Sequence, residues 1–88
     1  MDNIKIQQFD ETVSEVSKIL EELAEDTTIP KNVKLKISST LVTLKEEKDG
    51  SIRVHKALNA LGEIADDANI QPYTRTQIWN IVSILEKL

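Results

Sequence analysis

The sequence predicts an all-α protein, an up-and-down four-helix bundle built from two helical hairpins. Four segments carry apolar residues three and four positions apart, which is the period of an amphipathic helix. Residues that break helices separate these segments, at Pro30, Gly50 and Pro72. With an offset of 41, the sequence LEELAED at 20–26 also lies over LGEIADD at 61–67. We therefore expect two similar helix–corner–helix units related by a 41-residue internal repeat.

A chain of 88 residues is long enough for one domain, because domains usually contain about 50–250 residues. We expect a single domain over residues 1–88, with hairpin 1 at about 3–48 and hairpin 2 at about 51–88. The chain contains no cysteine, which excludes a disulfide framework and a zinc site with thiolate ligands. It has no apolar run near the roughly 18 residues of a membrane span and no signal-peptide layout. A cytoplasmic protein that does not bind membranes is expected.

The first predicted helix covers about residues 3–25. Its apolar residues are spaced by 4, 3, 4 and 3 positions and are Phe9, Val13, Val16, Leu20 and Leu23. This heptad spacing favours shallow packing against other helices. The segment from Asp26 to Pro30 ends the helix, because threonines favour turns and proline suits the first turn of the next helix.

The second predicted helix follows Pro30 and fades before Asp49. Its core face consists of Val33, Ile37, Leu41 and Leu44, with Leu35 and Val42 off that face. We expect Gly50 to close this helix in the left-handed conformation, which glycine adopts without steric cost. Ser51 is then the predicted N-cap of the third helix.

The third and fourth predicted helices repeat this arrangement. The third helix can approach its neighbours closely because it carries three small residues, Ala57, Ala60 and Ala65. A second corner at 66–72 matches the first, and its acids are expected to be turn residues that accept N–H bonds from the start of the next helix. The fourth helix runs from about Pro72 and carries a broad apolar arc made of Ile78, Ile81, Val82, Ile84, Leu85 and Leu88, with Trp79 at one shoulder. One facing helix is too narrow to cover this arc, so helix 4 is predicted to lie centrally or to face both the core and a partner.

An open pair of HEAT-type repeats is the alternative architecture. The 41-residue period is near the roughly 40–47 residues of such repeats. Each repeat must bury its face against neighbours, and about three repeats are needed for an open solenoid. Two units therefore favour the closed bundle.

The charge of the chain is unevenly distributed. Residues 1–29 carry eight acids and two bases, residues 30–56 three acids and seven bases, and residues 57–88 four acids and two bases. The formal net charge of −4 argues against a polyanion binder that uses its whole surface. Complementary charge between neighbouring helices explains the pattern without a partner. The alternative is a local basic face that meets an acidic partner or RNA, made of Lys31, Lys34, Lys36, Arg53 and Lys56 beside His55.

The sequence nominates no catalytic or metal site. Acids near both corners suggest a metal site between helices, but a di-iron bundle also needs Glu-x-x-His pairs. The sole histidine is His55, and Ile52 stands three residues before it. Gly50 and Gly62 stand alone, so no glycine-rich phosphate loop is present. We therefore predict that the protein is not an enzyme and has no cofactor, metal or small-molecule ligand.

Aromatic residues near the end of the sequence form a candidate interface. Arg75 and Trp79 are four positions apart, so the guanidinium can lie on the indole face, and Tyr73 precedes them. One interpretation is a tryptophan that seals the edge of the bundle. The second is an exposed interface patch of Tyr73, Arg75 and Trp79, which are residue types that anchor interfaces. The third is a stacking platform for nucleic acid, which normally needs more aromatic residues and more basic charge.

Two stretches of the chain resemble a known family. The sequences LEELAEDTTIPKNV at 20–33 and PYTRTQIWNIVS at 72–83 are similar to uncharacterised protein family 0147, whose members are small, mostly archaeal proteins. The resemblance covers nearly the whole chain. It implies an all-helical four-helix bundle and a cytoplasmic archaeal protein, and it implies no activity. The chain departs from the family pattern at Gln71, where a second proline is favoured, and at 35–43, which is less rich in alanine.

Two function hypotheses follow from these features. The first is a non-enzymatic helical module that binds a protein partner or associates with itself through helix 4 and the Trp79 shoulder. Its basis is the broad apolar arc of helix 4. The second is an accessory RNA- or ribonucleoprotein-binding factor that uses the basic middle segment 31–56. Binding to RNA weakens steeply with salt, which distinguishes the second hypothesis from the first.

Overall fold

The computed structural model describes residues 3–46 and 48–88, with side chains from Gln7 onward. Within these residues the chain forms four α-helices and no strand: α1 (Asn3–Ala24), α2 (Lys31–Lys45), α3 (Gly50–Ala65) and α4 (Pro72–Glu86). Each helix packs against its neighbours in sequence and α4 closes on α1, whereas the diagonal helices of the described chain make no close backbone contact. This closed arrangement confirms the predicted four-helix bundle and differs from an open HEAT-type pair.

The bundle is elongated, with extents of 43 × 21 × 19 Å. Its core consists mainly of leucine, isoleucine and valine. In α1, Val16, Leu20 and Leu23 are buried and Phe9 and Val13 pack against them, as the heptad spacing predicts. In the ranges 3–46 and 48–88, no helix has the length and hydropathy that a membrane span requires.

The broad apolar arc of α4 is explained by its two neighbours. The buried residues of this helix are Thr74, Ile78, Ile81, Val82 and Leu85. They are covered from two sides, because α4 packs against both α1 and α3. The arc therefore packs into the core, and Trp79 is a large apolar residue at its exposed edge.

The two corners have the same local geometry. In the first, the Asp26 carboxylate accepts hydrogen bonds from the backbone N–H and the hydroxyl of Thr28, at 2.8 and 2.7 Å. In the second, the Asp67 carboxylate accepts a hydrogen bond from the backbone N–H of Asn69 at 2.8 Å. These acids act as turn residues, as the sequence predicts, but their N–H donors, Thr28 and Asn69, lie within the corners and not at the start of the next helix. The internal repeat itself stays a prediction.

The connection between α2 and α3 differs from the prediction. α2 ends at Lys45 and Gly50 is the first residue of α3, so Gly50 does not adopt the left-handed conformation. The N-cap of α3 is Asp49 rather than Ser51, and its carboxylate accepts the backbone N–H of Ser51 at 2.9 Å. A Cβ atom on Gly50 would lie 2.9 Å from Cζ of the Phe9 ring. Glycine therefore allows the close approach of that ring, and its backbone freedom is not used here.

Candidate functional site

The outer surface of α4 carries one exposed aromatic residue in a row that is otherwise small or polar. We call this row the α4 stripe; its members are spaced by 4, 3, 4 and 3 positions and are Pro72, Thr76, Trp79, Ser83 and Glu86. All five residues are exposed, and Trp79 keeps 47% of its surface accessible to solvent. The small side chains of Thr76 and Ser83 flank the indole one turn away on each side. The indole therefore lies outside the core.

Arg75 joins α4 to the end of α3 instead of stacking on the indole. Its Nε donates a hydrogen bond to the Ala65 carbonyl at 2.9 Å, and its Nη2 donates to the Asp67 carbonyl at 3.0 Å. Backbone acceptors at the end of a helix lack helical partners, so the guanidinium satisfies groups that α3 leaves open. The spacing of Arg75 and Trp79 allows the guanidinium to lie on the indole, but these two hydrogen bonds hold it at the corner.

Tyr73 lies on a different side of α4. It is 66% exposed, and its Oη accepts a hydrogen bond from Nε2 of Gln77 at 2.9 Å. Six residues separate Tyr73 from Trp79, which places their side chains about 120° apart around the helix. The structure thus brings Arg75 and Trp79 to one shoulder of α4 and Tyr73 to the other. The three residues of the predicted interface do not form a single patch.

The equivalent row on α2 has a different composition. We call it the α2 stripe; its members lie 41 residues before those of the α4 stripe and are Lys31, Leu35, Ser38, Val42 and Lys45. All five are exposed, including Leu35 at 65% and Val42 at 62%. Two aliphatic side chains therefore flank Ser38, which stands in the place of Trp79. Leu35 and Val42 lie off the core face, as predicted, and they also share one side of α2, which was not predicted. Their separation of seven residues, two helical turns, is the signal for it.

The five residues of the predicted basic face do not converge. Lys31 begins α2, whereas Arg53 lies in the first turn of α3, at the other end of the bundle. The length of α2 separates them by about 20 Å, at a rise of about 1.5 Å per residue. Lys36 and Lys56 are exposed, and Lys34 is half-buried near the first corner. These charges spread along the bundle instead of forming one cluster.

Arg53 is held by contacts within the bundle. Its Nη1 donates a hydrogen bond to the Leu44 carbonyl at 2.9 Å, near the end of α2. Its guanidinium lies 4.9 Å from the centroid of the Phe9 ring, within the range of a cation–π interaction. Arg53 thus connects α1, α2 and α3. It caps the helix that precedes it, as Arg75 does for α3.

Two carboxylates at helix ends have pKa values below their ordinary range. At Asp26, the hydroxyl and the backbone N–H of Thr28 donate hydrogen bonds that lower the pKa, and the charge of Lys34 contributes less. At Asp49, the backbone N–H and then the hydroxyl of Ser51 lower the pKa. Hydrogen bonds to a carboxylate favour its charged form. Both acids are therefore suited to structural roles rather than to proton donation.

A cleft of about 670 Å³ opens at one end of the bundle, where α1 and α3 begin and α4 ends. Its lining includes apolar side chains from three helices, among them Phe9, Val54, Leu58 and Leu85. Its charged and polar lining includes Asp10, Asp49, Arg53, His55 and Glu86. In the part of the chain that the structure describes, no group of three side chains suited to metal binding converges. Sequence patterns miss this cleft because its walls are far apart in the chain.

Comparison with known proteins agrees with this architecture. The model of the uncharacterised protein family UPF0147 matches residues 1–88. A UPF0147 protein of Methanocaldococcus jannaschii is 38% identical over 80 residues, which cover 90% of this chain and 86% of that protein. A UPF0147 protein of Thermoplasma volcanium is 37% identical over 76 residues, which cover 85% of each chain. These names state no activity.

Two crystal structures have the same fold. The unknown function protein MMP1188 gives a TM-score of 0.84 at 38% identity, covering 90% of this chain and 91% of that one. A UPF0147 protein from Thermoplasma acidophilum gives a TM-score of 0.84 at 32% identity, covering 92% and 98%. The resemblance seen in the two sequence stretches is thereby confirmed. The chain belongs to the uncharacterised protein family UPF0147.

Proposed function

We propose that the protein is a non-enzymatic helical module that binds a protein partner through the α4 stripe. The observation that carries this proposal is the position of Trp79, a large aromatic side chain that is half exposed outside a complete core. Tryptophan is among the residue types most enriched at positions that dominate binding energy in interfaces. Its exposure in the unbound chain supports a contact with another molecule.

The surroundings of Trp79 favour contact rather than packing. The core beneath it is closed by Ile78, Ile81 and Leu85, which are fully buried. Thr76 and Ser83 are small, so the indole stands above the surface of α4 and can enter a groove on a partner. The guanidinium of Arg75 is bound to carbonyls of the corner and leaves the indole face open.

The test is a native pull-down with the tagged full-length protein from a lysate of its source cell, with and without nuclease. We expect a companion, another protein or untagged copies of this one, that survives nuclease and is lost with Trp79→Ala. Tyr73→Ala is the matched control, because Tyr73 is also an exposed aromatic residue of α4 but lies about 120° away. A companion that Trp79→Ala retains would contradict the proposal.

The non-enzymatic part of the proposal is supported by the polar groups of the chain. His55 is exposed, and the carboxylates of Asp26 and Asp49 accept hydrogen bonds in turn and cap positions. A thermal-shift screen of metabolites and metal ions tests it, since a ligand of the folded state raises the unfolding temperature. A saturable shift with one metabolite would point to an active or ligand-binding site instead.

RNA binding is the second candidate function, and its support is the charge of α2. The helix carries four lysines and no acid within Lys31–Lys45. Charges spread along a helix suit an extended phosphate backbone, although the segment 30–56 has no phenylalanine, tyrosine or tryptophan for base stacking. Fluorescence anisotropy with single-stranded RNA tests this candidate, which requires an affinity that falls steeply with salt. No binding at low salt would eliminate it.

A further inference from the structure

We infer that the α4 stripe of one copy docks on the α2 stripe of a second copy, with Trp79 over Ser38. The inference rests on the proposed function, because it names the partner of Trp79. The two stripes are outer rows of 15-residue helices and share the same 4, 3, 4, 3 spacing. Rows with this spacing pack side by side when two helices cross at a shallow angle.

The two stripes are complementary in shape. On α2, Leu35 and Val42 lie about 10 Å apart along the helix axis, and Ser38 leaves a gap between them. On α4, the large side chain is at the centre of the row and its neighbours are small. Trp79 therefore fits the gap at Ser38, while the aliphatic residues cover the small ones. Leu35 and Val42 are more than half exposed in a single copy, so docking removes apolar surface from water.

Charge selects the antiparallel register of the two helices. With Trp79 over Ser38, an antiparallel arrangement places Glu86 opposite Lys31, because both are seven residues from the centre of their rows. The parallel arrangement places Glu86 opposite Lys45, which already faces Glu21 of its own chain at 3.5 Å. In the antiparallel register, Glu86 also faces the N-terminal end of α2, which is the positive end of the helix dipole.

The positions of the two stripes determine how copies assemble. α2 and α4 occupy diagonal corners of the bundle and make no close backbone contact with each other. A copy therefore offers Trp79 to one neighbour and Ser38 to another, which is a heterologous contact that adds copies head to tail. A single pair of helices buries less than the about 1,200–2,000 Å² of a stable interface, so the association is weak and depends on concentration.

Sedimentation velocity on the full chain tests the inference. We expect the mean mass of the wild type to rise between about 10 μM and about 1 mM, the range in which weak contacts form. Trp79→Ala and Ser38→Arg should each remain monomeric, because each removes one side of the contact. Their equimolar mixture should form a 1:1 dimer and stop there, since it retains one intact α2 stripe and one intact Trp79. A contact between two tryptophans cannot produce a dimer in that mixture.

Further variants distinguish loss of the contact from loss of folding, and they test the register of the two helices. Ser83→Arg, at an exposed position one turn from Trp79, blocks the α4 stripe without removing the indole and should behave as Trp79→Ala does. Lys31→Glu and Glu86→Lys should each weaken association about 3- to 10-fold, on the scale of a surface ion pair and the repulsion that replaces it. A chain that carries both Lys31→Glu and Glu86→Lys should regain association, because the two opposite charges are exchanged across the contact. Recovery with Lys45→Glu and Glu86→Lys instead would overturn the antiparallel register.

A wild-type chain that stays monomeric at about 1 mM overturns the inference, because even weak contacts are populated at that concentration. A mixture of Trp79→Ala and Ser38→Arg that forms no dimer overturns it as well. Neither result removes the proposed function if the pull-down still identifies another protein that Trp79→Ala loses. A pull-down that also finds no companion dependent on Trp79 would remove both.

Discussion

The two hairpins of the bundle share their interior and differ at their surface. Positions 41 residues apart are buried together, as Ile37 is with Ile78 and Leu44 with Leu85. At the surface, the α2 stripe presents two aliphatic residues between lysines, whereas the α4 stripe presents one tryptophan among small and polar residues. Close packing of four helices restricts the interior. The outer rows are free of that restriction and can differ, and the proposed contact of Trp79 uses this difference.

The hairpins also differ in how their corners are held. In the first corner, Lys34 acts on the Asp26 carboxylate through charge. In the second, Arg75 occupies the equivalent position and donates two hydrogen bonds to backbone carbonyls. The second corner is therefore tied directly to the helix before it, and we expect it to be the more stable of the two.

The largest predicted effect concerns the shared interior. Ile37→Ala and Ile78→Ala should each lower the free energy of unfolding by about 2–5 kcal/mol, because both side chains are fully buried and leave a cavity. Urea unfolding followed by circular dichroism measures both values. A large loss for one variant and a small loss for the other would break the equivalence of the two interiors.

The next effect concerns Gly50, which lies 41 residues after Phe9 and so occupies the equivalent position in hairpin 2. Gly50→Ala should lower the free energy of unfolding by about 1–3 kcal/mol, because the added methyl group overlaps the Phe9 ring. Gly62→Ala is the matched control; its Cβ meets no atom within 4 Å, so it should raise stability by about 0.5–1 kcal/mol. Equal effects of both changes would mean that the ring does not restrict this position.

The corners give a smaller and asymmetric effect. Arg75→Ala should lower the free energy of unfolding by about 1–3 kcal/mol, since it removes two charge-assisted hydrogen bonds and leaves the carbonyls of Ala65 and Asp67 without these donors. Lys34→Ala, at the equivalent position, should cost less than about 0.5 kcal/mol, as surface changes usually do. Thermal unfolding of the two variants side by side measures the difference. Similar losses would contradict the distinction between the corners.

The smallest effect is the dependence of stability on pH. The folded-state pKa values of Asp26 and Asp49 are lowered by hydrogen bonds, so the unfolded chain binds protons more readily. Their contribution is present above the ordinary pKa of about 3.9 and is lost as the pH falls through the lower folded-state values. Urea midpoints between about pH 6 and pH 2 should fall with acid, and Asp49→Asn should flatten that fall. If the urea midpoint of Asp49→Asn falls with acid as steeply as that of the wild type, the cap of α3 does not depend on charge.

The fold could be predicted from the sequence because the relevant signals are local. The 4, 3, 4, 3 spacing of α1 identifies the residues that meet the core, and the acids and threonines of the corners identify the turns. Gly50 shows where local signals fail. A glycine after an aspartate is typical of a helix end, yet the constraint on it comes from Phe9, 41 residues earlier in the chain.

The candidate site could be predicted only in part. The sequence places Trp79 at the edge of an apolar arc, and in the structure its side chain is half exposed. It does not indicate that Arg75 points back to the end of α3, because the partner carbonyls become close only after the corner folds. The separation of Tyr73 from the indole was not predicted, although the spacing of six residues in the sequence already places the two side chains about 120° apart. The α2 stripe was not predicted either, although the separation of seven residues between Leu35 and Val42 places both on one side of the helix.

The most direct test of the account measures stability and association of Trp79→Ala together. If the indole serves contacts outside the bundle, the free energy of unfolding should change by less than about 1 kcal/mol, while self-association or capture of a companion is lost. Urea unfolding and sedimentation on the same protein sample give both quantities. A stability loss of about 3–5 kcal/mol with unchanged association would contradict the account and assign Trp79 to the core.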